Sequence, residues 1–123
     1  MLANSLDAQR EISRAQDVFL AAGATRPLHF RHPFGFRAPW TQFHVKAASV
    51  QPVFWSINPR DFQNPGAKTI VKRVLTAIHP GAIVLLHDGR EGRAQTLEAL
   101  KLLVPKLREQ GYQFLRVDEL QAP

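Results

Sequence analysis

The 123-residue sequence predicts an α/β protein of parallel β/α units. Stretches with apolar residues at helical spacing alternate with short runs rich in β-branched and aromatic residues, giving helix then strand four times over. Ala82-Ile83-Val84-Leu85-Leu86 is apolar throughout, as a strand covered on both faces of a parallel sheet requires. Nine prolines and seven glycines supply the breaks between these stretches. Four such strands make a small open sheet or one side of a barrel, joined by right-handed crossovers.

Each element has its own local reason. From Leu6 to Ala22, the apolar residues Leu6, Ile12, Ala15, Val18, Phe19 and Ala22 fall near one helical face, and Gly23 provides the stop. Residues 27–31 read as a short strand entering the loop His32-Pro33-Phe34-Gly35. A short helix is expected over 41–48. Pro52 to Ile57 has the β-branched and aromatic content of a strand, and Asn58-Pro59-Arg60-Asp61 forms the loop after it. Pro65 opens a helix carrying Ile70, Val71, Val74, Leu75 and Ile78 at helical spacing, ended by His79-Pro80-Gly81. After the apolar run comes the loop His87-Asp88-Gly89-Arg90. A helix over 96–110, stopped by Gly111, leads to a last strand over 112–117.

Composition bounds the function classes. Sixteen Lys and Arg against ten Asp and Glu give a net charge of +6. Residues 1–50 hold six basic and three acidic residues, and residues 51–123 hold ten and seven, so the excess is three in each part. A surplus spread this evenly lacks the clustered patch of a nucleic-acid binder, and no nucleic-acid partner is expected. Cysteine is absent, which excludes disulfides and thiolate chemistry. No apolar run approaches the roughly 18 residues of a membrane span, and the first sixteen residues lack the basic-then-apolar order of a signal peptide.

In parallel β/α folds, functional groups gather just beyond the C-terminal ends of the strands. Those positions are held by Arg31, Asp61 and His87: a cation, a carboxylate and an imidazole on three successive loops. Plainer roles stand beside these. His87 is also readable as a partly buried strand-end histidine, and Asp61 as the cap of the helix near Pro65. His29 and His32, three apart on an extended strand, point to opposite faces and do not make a shared metal site. Trp55 reads as core or as pocket wall.

The residues around these positions resemble the polysaccharide deacetylases, carbohydrate esterases with a NodB-homology domain. Arg31-His32-Pro33-Phe34-Gly35 is similar to that family's Arg-x-Pro-(Tyr or Phe)-Gly motif. Trp55 to Phe62 resembles the tryptophan strand that runs into Asp-x-x-Asp-Trp, and Leu85-Leu86-His87 resembles Leu-x-His. Thr96 to Phe114 is similar to the family's closing segment. The motifs fall in family order from about residue 5 to residue 120.

The resemblance implies the C-terminal half of a distorted (β/α) barrel, and residues 1–123 are expected to be one partial domain. It implies metal-dependent hydrolysis of N-acetyl groups from amino-sugar polysaccharides of the chitin or peptidoglycan type. In that reaction His87 would be the general acid, Asp61 would orient it, and Arg31 would position the catalytic aspartate. The Phe34 backbone N–H would stabilise the oxyanion, while Leu85 and Trp55 would line the pocket for the acetyl group.

Two departures from the pattern are Asn58 in place of the first Asp and Phe62 in place of Trp. A larger one is that neither Thr-Phe-Asp-Asp nor His-(Ser or Thr)-x-x-x-His, which supply the base and the metal ligands, occurs in the sequence. No metal is expected on this chain itself, although a divalent, zinc-like ion is implied for the complete family domain. A truncation, a misassigned start and a degenerate remnant would each produce this pattern. The partners implied are an acetylated polysaccharide and a second chain, or another copy, completing the barrel. The alternative function is a non-catalytic glycan- or protein-binding remnant. Family members are often secreted or held at the cell envelope, and the sequence leaves the location open.

Overall fold

The computed structural model describes residues 5–25, 27–35, 45, 49–89 and 92–120. They fall into two compact units, Met1–Phe54 and Trp55–Pro123.

The first unit opens with helix α1, Ser5–Ala21. Its C-terminus closes through two bonds: Gly23 N–H donates to the Leu20 carbonyl (3.0 Å) and Ala24 N–H to the Phe19 carbonyl (2.9 Å). Gly23 takes φ 78°, the left-handed geometry such a closure needs and glycine adopts without strain. Ile12 packs in a small core with Val45, Val50 and Phe30. The apolar face expected on α1 is only partly used: Ile12 is buried, with Gln16 one turn on, whereas Ala15, Val18 and Phe19 are exposed. Periodicity assigns residues to one side of a helix, but the extent of burial depends on how far a neighbour reaches along it.

Strands β1 (His29–Phe30) and β2 (Gln51–Pro52) pair in parallel, His29 opposite Gln51 and Phe30 opposite Pro52. Gln51 N–H donates to the Leu28 carbonyl and Val53 N–H to the Phe30 carbonyl. Alternate residues thus serve β1, and Pro52, which has no N–H, falls at the position that needs none. The loop expected after β1 contains a 3-10 turn, Pro33–Gly35. The helix expected over 41–48 lies outside the described residues apart from Val45, which is helical and buried.

The second unit has a helical pair, α2 (Ala67–Ala77) and α3 (Ala94–Glu109). Both fall within two residues of the bounds the sequence predicts. Ile70, Val71 and Val74 of α2 meet Ala99 and Leu103 of α3 and Ile57 of the preceding segment in one core. The strand pairing beneath them is short. Ile57 bridges Val84 in parallel, with Ser56 N–H donating to the Ile83 carbonyl and Leu85 N–H to the Ile57 carbonyl.

The expected strand over 112–117 is a correction. Among the described residues no strand forms there, and the chain runs on into a helical turn, Val117–Leu120. A strand exists through its ladder, and local β propensity supplies only one side of it. The same reason shortens the strands expected over 52–57 and 82–86 to the pairings just described.

Candidate acid–base site

The site is built on the loop that leaves Ile57. Asn58 Oδ1 accepts the Arg60 N–H at 2.9 Å, a side-chain turn that folds the chain back on itself. Arg60 sits at φ 55°, ψ 43°, a left-handed conformation uncommon for a residue with a side chain. Pro59, fully buried, is held through its carbonyl by Arg73 Nη1 of α2 at 2.7 Å. This tight reversal delivers Asp61 inward at the start of a 3-10 turn, Asp61–Gln63. The charge lost on replacing the family's Asp with Asn58 is immaterial to this task, because only an acceptor oxygen is used.

Asp61 is 0% exposed. Its Oδ1 lies 2.7 Å from His87 Nδ1, and its Oδ2 accepts the His87 backbone N–H at 2.9 Å and the Thr96 hydroxyl at 3.0 Å. Burial pushes the Asp61 carboxyl up, but the bonds from the His87 ring, the His87 backbone and Thr96, together with the His87 charge, hold it below its usual value. An ionised carboxylate only accepts, so His87 carries a proton on Nδ1 and its Nε2 is left to exchange protons. His87 is about one third exposed and follows directly on Leu86. Phe62 meets its ring edge-on, with centroids 5.4 Å apart, so the Phe that replaces Trp still walls one side of the imidazole.

An open cleft of about 530 Å³ runs past His87, with Leu86, Asp88, Arg93, Thr96, Leu97 and Leu100 also in its lining. Leu85 is buried and Trp55 half-buried, and the apolar lining beside His87 comes from Leu86, Leu97 and Leu100. Asp61 does not cap α2, whose N-cap is Gly66 without a side-chain bond. Arg31 and Phe34 belong to the first unit. There, Arg31 Nε reaches the Val53 carbonyl at 3.4 Å, and Phe34 is fully exposed at φ 56°. His32 is buried between Phe30 and Phe54, edge-on to the first and stacked on the second.

Thr96 was legible only as the first residue of a helix. Its signal is its place on the stripe Thr96, Ala99, Leu103 and Leu107, the buried face of α3. A hydroxyl among apolar residues on a buried stripe demands a partner.

The divalent metal implied by the resemblance does not fit the side chains of the described residues. Among the described residues no group of three or more His, Cys, Asp or Glu side chains could hold an ion. His87 Nδ1 and both Asp61 oxygens are already engaged with one another or with Thr96.

Parallel β/α pairing with an imidazole and a carboxylate in contact on successive strand-end loops is an arrangement of the α/β class. No protein-family profile matches the chain. It is 42% identical over 104 residues to a peptidoglycan-N-acetylglucosamine deacetylase of Bacillus cereus, covering 83% of this chain and 49% of that protein. It is 40% identical over 108 residues to a chitooligosaccharide deacetylase of Bradyrhizobium, covering 76% and 48%. It also matches the crystal structure of a CE4 family pseudoenzyme from Bacillus anthracis, with TM-score 0.88 and 27% identity over 97% of this chain and 41% of that one. The chain belongs to the polysaccharide deacetylase family and has the fold of the C-terminal part of its (β/α) barrel. It spans about half the length of the curated relatives it matches.

Proposed function

We propose that this chain carries the proton-donating end of a polysaccharide deacetylase site, for hydrolysis of N-acetyl groups on amino sugars of the chitin or peptidoglycan type. The observation that carries the proposal is the 2.7 Å contact between buried Asp61 and His87. Cleaving an acetamide requires a proton on the departing nitrogen, since an amine leaves far more readily than its anion. His87 Nε2 gives that proton, and Asp61 fixes the ring and keeps the other proton on Nδ1. Arg31 positions the carboxylate base, which another segment or chain contributes together with the metal. The Phe34 N–H receives the oxyanion, a task that a left-handed backbone turn suits because it depends on no side chain. Leu85 and Trp55 back the acetyl pocket. A second copy or a partner chain covers the apolar surface beside the site.

Acetate release from acetylated chitooligosaccharide, assayed with zinc or cobalt added, is the test. We expect His87→Ala to lower turnover by about 10²–10⁴-fold, the usual contribution of a positioned acid. Turnover unchanged by that substitution would exclude the assignment.

The missing set of metal-holding side chains among the described residues favours a second reading, a glycan- or protein-binding remnant of the family. It predicts binding of the same oligosaccharide with no acetate released at any metal concentration.

A further inference from the structure

We propose that Thr96 is a positioning residue of the site, its hydroxyl locking the Asp61 carboxylate in the one rotation that presents Oδ1 to the His87 ring. The inference rests on the acid role proposed for His87, and it adds a residue to which the resemblance assigns no role.

A carboxylate can rotate about its last bond, and a contact at one oxygen alone leaves that rotation free. Asp61 is held at both ends. Oδ1 takes the ring Nδ1, while Oδ2 takes the backbone N–H of the same histidine and the Thr96 hydroxyl. The backbone N–H belongs to the loop that carries the ring, so those two contacts can shift together. Thr96 is the donor that comes from elsewhere. It lies in the first turn of α3, where its own N–H is bonded to the Arg93 carbonyl, and it is only 4% exposed. The hydroxyl direction is not free either, because a carboxylate offers only acceptors and the hydroxyl must donate. Its neighbour Gln95 reinforces the clamp, its Oε1 accepting the N–H of Gly66 at the entry to α2. The first turn of α3 therefore grips both ends of the segment from Asp61 to Gly66, and its position is transmitted to the imidazole through Oδ2.

The test is the titration of the Asp61 carboxyl, followed by its ¹³C resonance in the full chain. Thr96→Val keeps the shape and removes the donor, and we expect the titration midpoint to move up, because the ionised form loses a bond. Thr96→Ser keeps the hydroxyl, and we expect the midpoint to return towards that of the parent. Exchange of the His87 Nδ1 proton with water should quicken in the Val variant and slow again in the Ser variant. Should Thr96→Val fail to fold, Thr96→Ala removes the same donor and is read the same way. A midpoint and exchange rate unmoved by loss of the hydroxyl would overturn the inference, as would a Ser variant that behaves like Val. These readouts need no turnover, so they fail or succeed separately from the acid role of His87.

Discussion

Asp61 has no exposed surface, and a carboxylate removed from water destabilises a fold unless donors replace the lost solvent. Three donors do so, and they outweigh burial enough to leave the carboxyl below its usual value. The sign of the pH effect follows. The unfolded chain takes up a proton near the ordinary carboxylate value of about 3.9 and the folded chain at a lower pH, so the stabilising effect is complete above roughly pH 5 and is lost as pH falls through that window. Asp61→Asn should flatten this part of the curve, read as the difference in urea midpoint between parent and variant from pH 6 down to pH 3. At pH 7 the variant should be less stable by about 1–3 kcal/mol, since an amide offers one acceptor oxygen where three donors converge. A variant as acid-sensitive as the parent would show that the three contacts do not persist in solution. Asp61 and His87 were legible in the sequence because strand-end loops are where such groups collect. Their mutual contact was implied by the family resemblance, which has Asp61 orienting His87, and not by spacing, because it depends on a reversal set by Asn58 and a left-handed Arg60.

Helices α2 and α3 were legible nearly to their bounds because a stripe at helical spacing identifies a helix before any partner is known. The strands were not, since their stability resides in a neighbour: residues 82–86 have the composition of a buried strand, yet only Val84 forms a bridge. The energetic weight of the second unit therefore falls on the helical core, and its positions are sharply unequal. Ile70 is 0% exposed within the shared core, whereas Leu97 on α3 is 56% exposed beside the cleft. Ile70→Ala should destabilise by about 2–5 kcal/mol, from lost burial and the cavity left behind. Leu97→Ala should change stability by no more than about 0.5 kcal/mol, as ordinary surface substitutions do. Chemical unfolding of both variants checks the pair, and equal losses would mean that α3 packs by a different face.

Across the molecule, apolar side chains stand exposed in both units. Val18, Phe19 and Leu20 are all more than half exposed on α1, and Leu97, Leu100 and Leu102 are exposed on α3. Scattered apolar residues on a surface call for no explanation, but runs on helices that elsewhere bury a stripe mark surfaces suited to contact. Covering such surface stabilises an assembly by about 25 cal/mol per Å², a gain that works against the several kcal/mol lost in joining two bodies. No helix among the described residues is long and apolar enough to cross a membrane. The chain by itself should therefore self-associate, with a sedimentation coefficient that rises with concentration. Replacing Phe19 and Leu97 together with Lys should lower that association without unfolding either helix, because both side chains already face solvent. A parent chain that sediments as a single monomeric species across the micromolar range would show that these surfaces need no cover, and would remove the proposed partner chain with it.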